Sequence, residues 1–305
     1  MTRVGVVGHV EWVQFARVPR VPVAGEIVHA SEFFAVPAGG GGVAAVQLRR
    51  LAGSAMLLTA LGTGADAGRA AAELREDYGV TLHAATRQGP QRRAFTFVDD
   101  AAERTITVLG DRIVPVRADP LPWDALGDLD AVYFTGGDAG AVRAARAAGV
   151  LVATARALQP LAEAGVRIDV LVGSASDPAE AYAPGALDPE PGVVVRTRGA
   201  QGGSWELGTA GVGAPELATG KPEPREAWLP AGSSGGVWDA ASPPGAPVDS
   251  YGCGDSFAAG LTYGLGAGMM LDAAIELGAR CGATCLTGSG PYAAGMPDEP
   301  RRATS

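Results

Sequence analysis

Residues 249–260 have the sequence DSYGCGDSFAAG, and this stretch carries the strongest signal for fold and chemistry in the chain. Gly252 and Gly254 flank Cys253, and Asp255 stands directly before an apolar run of helical character. Small residues let backbone N–H groups converge on one point, and the first N–H groups of a helix lack partners within the helix. Because the helix dipole adds positive charge at this end, the spot is suited to an anion.

Asp255 adds a carboxylate to this predicted anion site. Phosphoryl transfer needs donors around the migrating group and a residue that accepts the proton of the attacking hydroxyl, and four consecutive residues could supply both. We expect Asp255 to stay ionised because the same dipole favours its charged form. The spacing alone fits a structural alternative equally well, in which Gly252 and Gly254 form an ordinary turn and Asp255 caps the helix.

From about residue 130 onward, apolar strand-like runs alternate with helical segments. This alternation indicates parallel βαβ units and a sheet that helices cover on both faces. We therefore predict one doubly wound, mostly parallel α/β domain over residues 1–305. The predicted strands are residues 131–135, 150–154, 168–172 and 193–197, and the predicted helices are residues 139–148 and 157–164.

The first third of the chain combines the same pattern with a small β excursion. Strands are predicted at residues 4–8 and 56–61, and helices from the glycine run 39–42 to Gly53 and over residues 67–78. Short β pieces follow one another over residues 11–36, and residues 93–98 and 104–109 have the pattern of a hairpin. We also expect short edge strands within residues 199–248, and a frayed tail after Met296.

Composition restricts the classes of partner. The chain has 305 residues, 47% of them apolar, with a formal net charge of −9 and a pI near 4.9. The absence of a basic run argues against nucleic-acid binding. The chain has no apolar run of the roughly 18–20 residues that span a bilayer, and its start does not resemble a signal peptide. Three cysteines do not make a disulfide framework, which fits a reducing compartment. We therefore expect a cytoplasmic protein that does not bind membranes.

The stretch 249–260 closely resembles the C-terminal signature of PfkB/ribokinase-like carbohydrate kinases, Asp-Thr-x-Gly-Ala-Gly-Asp-x-Phe-x-x-Gly. Ser250 replaces Thr and Cys253 replaces Ala, both mild changes. Four further segments are similar to family segments: PVAGEIVHA at 22–30, AGGGGVAAVQLRRLAG at 38–53, ERTIT at 103–107 and VVVRTRGAQGG at 193–203. The signature residues that match unchanged are Asp249, Gly252, Gly254, Asp255, Phe257 and Gly260.

This resemblance implies a role for each matched position. It implies a ribokinase-like fold with a small β-strand lid, formed by about residues 11–36 and 86–110, and a homodimer that pairs through this lid. ATP and Mg²⁺ are the implied cofactors, with a monovalent cation as a further candidate. The implied site consists of Asp255 as the catalytic base, Gly252, Cys253 and Gly254 as the anion hole, Thr197, Gly199 and Gly202 at the nucleotide, Gly39 and Gly40 at the substrate, and Asp249 as a candidate monovalent-cation ligand.

Several positions depart from the family pattern on the substrate and metal sides. After the first strand, Glu11 and Val13 stand where the family often places Asn and Asp that contact substrate hydroxyls. A valine cannot accept hydrogen bonds from a sugar, so Glu11 and His9 are the candidates for polar substrate contact. The family's Asn-x-x-Glu motif, linked to Mg²⁺ and phosphate, is represented by SASD, which leaves Asp177 as the candidate metal residue.

The sequence therefore predicts an ATP-dependent phosphotransferase that acts on a hydroxyl of a sugar, nucleoside or similar small polyol. The alternative is a catalytically silent ligand-binding or regulatory protein on the same fold, because the HVEWV and SASD stretches are altered. A dinucleotide-dependent oxidoreductase is disfavoured because Gly8 is followed by HVEWVQF, which has neither the glycine spacing nor a helix start. No P-loop motif is present.

Overall fold

The structure is a computed structural model that describes residues 1–208, 228–229 and 233–295. Its main body is a nine-stranded sheet in the order β13-β12-β11-β10-β9-β8-β1-β4-β5. The strands of this sheet are β1 Val4–Val7, β4 Met56–Thr63, β5 Thr81–Pro90, β8 Ala131–Phe134, β9 Val150–Thr154, β10 Val170–Ser174, β11 Val193–Thr197, β12 Gly203–Leu207 and β13 Gly235–Trp238.

Helices cover both faces of this sheet, which confirms the predicted doubly wound, mostly parallel α/β fold. One buried cluster packs α1, α2, α5 and α6 against side chains such as Val6 and Leu57. A second cluster packs α3 and α4 against the opposite face, where Val7 and Leu58 point. The helices are α1 Gly39–Ala52, α2 Ala65–Glu76, α3 Ala139–Ala145, α4 Leu158–Ala164, α5 Cys253–Gly266 and α6 Leu271–Cys285.

The order of the strands reverses direction beside β1. From β1 the chain moves outward through β4 and β5, and it then returns to β8 on the other side of β1 before moving outward again. Both neighbours of β1 are parallel to it. In open α/β sheets, ligands bind at the carboxyl ends of the strands where such a reversal occurs. The crevice beyond Val7 and Phe134 is therefore the place where the fold favours a site.

A separate four-stranded sheet has the order β3-β2-β6-β7 and contains the predicted β excursion. Strand β6, Arg93–Val98, pairs antiparallel with β7, Arg104–Leu109, and the bounds of this hairpin equal the predicted ones. Strands β2, Glu11–Arg17, and β3, Glu32–Ala38, complete the sheet. The expected lid range starts at residue 86, but residues 86–90 belong to β5 in the nine-stranded sheet.

Strand β5 has no counterpart in the sequence-based prediction because it lies at one edge of the large sheet and buries few residues. Its sequence TLHAATRQGP buries only Leu82 and Ala85, so the apolar alternation is weak.

The expected edge strands within residues 199–248 are represented by the antiparallel strands β12 and β13. The rest of that segment, residues 209–227 and 230–232, and the tail from Met296 lie outside the described residues. None of the described helices combines the length and apolar character needed to cross a membrane.

Helices α5 and α6 cross so closely that their contact depends on glycine. A Cβ added at Gly260 would lie 2.8 Å from Gly278 Cα and 2.9 Å from Cys281 Sγ. Gly260 is also the last residue of the 249–260 signature. Its glycine therefore has a packing role in the contact between α5 and α6. Gly68 in α2 provides the opposite case, because a Cβ there would meet nothing within 4 Å.

We expect Gly260→Ala to lower the free energy of unfolding by about 1–3 kcal/mol, because the methyl group forces the two helices apart. Gly68→Ala, the matched control, should raise it by about 0.5–1 kcal/mol, because alanine loses less backbone entropy in a helix. Urea unfolding of both variants measures the difference. Equal stabilities for the two variants would show that the helix contact tolerates a side chain.

Candidate active site

The turn before helix α5 leaves a group of backbone donors without partners in the helix. Gly252 has φ +82°, and a Cβ there would lie 2.8 Å from Pro291 Cβ, so only glycine fits. The first hydrogen bond of the helix runs from Ser256 N–H to the Gly252 carbonyl at 2.8 Å. The N–H groups of Cys253, Gly254 and Asp255 precede it and are free of intrahelical partners.

Asp249 holds this turn in place by accepting backbone hydrogen bonds. Its side chain is 1% exposed and accepts hydrogen bonds from Tyr251 N–H at 2.8 Å and Gly290 N–H at 2.9 Å, one on each oxygen. Because both carboxylate oxygens already accept backbone donors, Asp249 links the turn to the loop at residue 290. A candidate cation at this position would have to share oxygens that already hold the loops together.

The Asp255 carboxylate lies half-buried at the crevice beside the start of α1. A Cβ added at Gly40 would lie 3.1 Å from Asp255 Oδ1, so the glycine turn and the carboxylate are in contact. Burial, with the negative charge of Glu180 as the next cause, raises the pKa of Asp255 to about 6, against the opposing effect of Arg104 and Arg156. The helix dipole was expected to hold this group firmly ionised. Desolvation outweighs the dipole, although the carboxylate is still mostly ionised at neutral pH.

The candidate substrate residues Gly39, Gly40 and His9 meet at this point. Gly40 N–H donates to His9 Nε2 at 3.4 Å, and Gly39 N–H donates to the hydroxyl of Tyr251 at 3.3 Å. Burial, followed by the positive charge of Arg112, lowers the pKa of His9 well below its usual value, so the ring is neutral at physiological pH. His9 therefore lies in the crevice beside Gly40, and Gly40 in turn borders Asp255.

Glu11 and Val13 are less available to a ligand. The Glu11 carboxylate is buried and pairs with Arg92 Nε at 2.7 Å. Burial is the largest influence on Glu11 and raises its pKa, while the charges of Arg92 and Arg112 oppose the rise. Val13 is fully buried within strand β2 of the small sheet. Glu11 thus borders the site as half of an ion pair, and its contact with substrate stays a prediction.

The candidate nucleotide residues lie further along the same edge of the sheet. Thr197 ends β11 beside Ser174, which ends β10, so both strands deliver residues to the carboxyl edge. Gly199 has φ +55° and open space around it. Gly202 has a packing reason for its glycine, because a Cβ would lie 1.9 Å from the Trp238 carbonyl oxygen. No hydrogen bond or ion pair joins these three residues to Asp255 in the described part of the chain.

The family model for pfkB family carbohydrate kinases matches residues 1–195 and 227–299. The chain belongs to the pfkB family of carbohydrate kinases. This result confirms the resemblance drawn from residues 249–260, and it covers both the glycine turn before α1 and the Asp255 turn. No curated protein gives a significant match to the sequence.

Solved kinases share the fold over nearly the whole chain. The ribokinase of Arabidopsis thaliana, solved with ribose and ATP, is 15% identical, with 97% of this chain and 96% of that chain covered and a TM-score of 0.70. The adenosine kinase of Sinorhizobium meliloti is 16% identical, with 98% and 96% covered and a TM-score of 0.70. The ribokinase of Cryptococcus neoformans, solved with ADP, is 18% identical, with 97% of each chain covered and a TM-score of 0.67. At these identities the likeness establishes the fold.

The acidic residues after β10 do not offer this pfkB kinase a ready Mg²⁺ site. Asp177 accepts a hydrogen bond from Ala179 N–H at 2.9 Å on one oxygen and pairs with Arg156 on the other. Glu180 accepts from Arg156 Nη2 at 2.8 Å and from Ser174 N–H at 2.6 Å. All four carboxylate oxygens are engaged, and the described residues contain no cluster of three or more potential metal ligands. The candidate metal residue Asp177 therefore does not fit a directly bound Mg²⁺ in this arrangement.

Four charged residues of the site were not identified from the sequence. Arg92 and Arg112 flank the hairpin Arg93–Leu109 in the sequence, and Arg104 within it donates to the Ser250 carbonyl at 3.1 Å. Glu180 influences the pKa of Asp255 from three residues beyond Asp177. Glu180 could have been identified from its position in the sequence, because residues just past the carboxyl end of a parallel strand lie at the edge of the sheet where ligands bind. The arginines gave no signal because charged residues near a hairpin are usually solvated.

We expect kcat/KM to fall as pH drops through about 6, because Asp255 must be ionised to accept a proton and its pKa is raised to about 6. Glu180→Gln removes a negative charge that raises this pKa, so the acid limb should move to lower pH. Glu276→Gln is the matched control on α6, remote from the crevice, and should leave the profile unchanged. A profile that stays flat down to about pH 4.5 would exclude Asp255 as the base.

Proposed function

We propose that the chain transfers the γ-phosphoryl group of ATP to a hydroxyl of a sugar, nucleoside or similar small polyol. The observation that carries this proposal is the turn before α5, where a half-buried carboxylate with a raised pKa stands beside free backbone donors. Its position at the reversal point of the sheet, next to His9 and Gly40, supports the same conclusion.

In the proposed reaction, Asp255 accepts the proton of the acceptor hydroxyl as its oxygen attacks the γ-phosphorus. The bond from that phosphorus to the β,γ-bridging oxygen breaks, and ADP leaves with the electron pair. Charge on the equatorial phosphoryl oxygens is met by N–H groups of the anion hole at Gly252, Cys253 and Gly254. Preorganised donors of this kind are worth about 10²–10³-fold in rate each.

The nucleotide is assigned to the edge formed by Thr197, Gly199 and Gly202, which is open at Gly199. ATP and ADP in the ribokinases of Arabidopsis thaliana and Cryptococcus neoformans support the choice of an adenine nucleotide. Mg²⁺ would accompany the nucleotide phosphates, since Asp177 and Glu180 are engaged with Arg156. A monovalent cation near Asp249 and a cytoplasmic location remain part of the proposal.

Asp255→Asn separates this kinase from a catalytically silent binding protein on the same fold. We expect the substitution to lower kcat by about 10²–10⁴-fold, the usual contribution of a general base. Because the folded state raises the pKa of Asp255, the charged form is disfavoured on folding, and removing the charge should not lower Tm at pH 7.5. ATP consumption with a panel of polyols and nucleosides gives kcat, and calorimetry with a non-hydrolysable ATP analogue gives nucleotide affinity.

Two outcomes would contradict the assignment. Undiminished turnover in Asp255→Asn would mean that another group is the base. Retained ligand and nucleotide binding, with no ATP consumption by the unsubstituted protein on any acceptor, would favour the silent binding protein. Asp272→Asn, at the start of α6 on the far side of α5, serves as the matched control and should leave kcat unchanged.

We also propose that both sheets form one kinase domain, with the small sheet as a lid over the crevice. The strand register places Ile106, Thr96 and Phe15 on one face of that sheet, and the Phe15 ring packs edge-on against Tyr251 at 5.0 Å. Ile106 and Val108 continue this face and are 41% and 45% exposed. Phe95 and Phe97 lie on the opposite face, in contact with each other. An apolar face turned towards the crevice fits a cover for bound substrate or for the lid of a second copy.

We expect Ile106→Asp to raise KM for the acceptor or to weaken homodimerisation, because a charge would enter the surface that closes. The fold should be retained, since the side chain is exposed. Val237→Asp on β13, where the side chain is 81% exposed, is the matched control and should change neither quantity. Sedimentation equilibrium and steady-state kinetics decide the matter, and an unchanged KM together with an unchanged oligomeric state would reject both roles.

A further inference from the structure

Arg112 lies at the crevice without a carboxylate partner. Its Nη2 donates to the Thr135 carbonyl at 3.1 Å and lies 3.2 Å from His9 Nδ1. These are its two hydrogen-bond contacts within the described residues, and none of the ion pairs there includes it. A guanidinium has five N–H donors in a planar fork, so Nε and Nη1 are left free to bind a ligand. The residue is accessible from solvent.

The carboxylates around Arg112 in the described part of the chain do not form an ion pair with it. The nearest carboxylate, Glu11, is already paired with Arg92 at 2.7 Å, and His9 is neutral. By contrast, Arg156 on the other side of the crevice has two carboxylates, Asp177 and Glu180. Asp255 is the other carboxylate whose charge acts on Arg112, and within the described residues neither it nor Glu11 forms an ion pair with Arg112.

Arg112 is also close to the point where the acceptor hydroxyl must lie. A Cβ added at Gly40 would be 3.1 Å from Asp255 Oδ1 and 3.4 Å from His9 Cε1. Arg112 contacts the adjacent ring nitrogen of the same imidazole, Nδ1. His9 therefore contacts the guanidinium and lies beside Gly40, which borders the base. A molecule with a chain of a few carbon atoms can reach both the base and the guanidinium.

We propose that the phosphate acceptor is an anionic polyol, with a carboxylate or phosphate group bound by Arg112 and a hydroxyl a few carbons away at Asp255. This inference rests on the proposed kinase function and specifies its substrate class. The planar donor fork of arginine matches both anions, because each offers paired oxygens. Neutral sugars such as ribose, and neutral nucleosides, would leave the guanidinium without its counter-charge.

The first test compares neutral sugars with acids and phosphate esters of the same carbon skeleton. The probes are two sets, D-ribose with D-ribonate and D-ribose 5-phosphate, and D-glucose with D-gluconate and D-glucose 6-phosphate. We expect kcat/KM, measured by ADP release, to be at least about 10-fold higher for an anionic member than for its neutral parent. The carboxylate and phosphate arms identify which anion the site takes.

The second test assigns the preference to Arg112. Arg112→Gln should lower kcat/KM for the preferred anionic acceptor by about 10- to 100-fold, mainly through KM, and should change that for the neutral parent by less than about 3-fold. Arg69→Gln, on the exposed surface of α2, is the matched control and should leave both values unchanged. Calorimetry of each acceptor with both variants repeats the comparison without turnover.

The outcomes separate this inference from the kinase assignment. A neutral acceptor turned over faster than its anionic partners, with no effect of Arg112→Gln, would overturn the inference and leave the kinase function standing. Binding of no anionic probe by calorimetry would also overturn it. Failure of the kinase function has a different signature, namely anionic probes that bind through Arg112 while ATP is not consumed with any acceptor.

Discussion

The site depends on the close approach of three backbone segments that leave no room for side chains. A Cβ at Gly41 would lie 2.6 Å from the His9 carbonyl oxygen, and a Cβ at Gly8 would lie 2.0 Å from Thr135 Oγ1. The start of α1, the end of β1 and the end of β8 therefore meet directly. Because packed interiors tolerate little added volume, glycine at these positions is a condition for bringing Gly40 against Asp255. The crevice at the reversal point of the sheet exists because of this contact.

The arginines of the crevice differ in how they are paired. Arg156 forms ion pairs with both Asp177 and Glu180, and these carboxylates also accept hydrogen bonds from backbone donors. Arg112 forms no ion pair among the described residues, although the charges of Glu11 and Asp255 act on it. Desolvation raises the energetic cost of an unpaired charge. Arg112 therefore gains more than Arg156 from an anionic ligand.

The sequence predicted the elements with strong local patterns and missed those that depend on tertiary contacts. The hairpin Arg93–Leu109 and strand β11 were predicted to the residue because apolar alternation and flanking turns define them. Edge strand β5 was not predicted because an edge strand buries few apolar side chains. Asp255 was identified from its motif, but its pKa depends on burial and on Glu180, which lies far away in the sequence. Arg112 could not be assigned from the sequence because its significance is the absence of a partner in space.

The hairpin Arg93–Leu109 is joined directly to the turn before α5. Ser250 N–H donates to the Ala102 carbonyl at 3.1 Å, and Arg104 Nη1 donates to the carbonyl and to the hydroxyl of Ser250 at 3.1 Å. Ala102 adopts φ +63°, a conformation that costs a non-glycine residue roughly 1 kcal/mol and persists only where surrounding contacts fix it. Any outward movement of the hairpin must break these hydrogen bonds, which hold the turn just before Asp255. The position of the hairpin and the geometry of the turn before Asp255 are therefore coupled through Ser250.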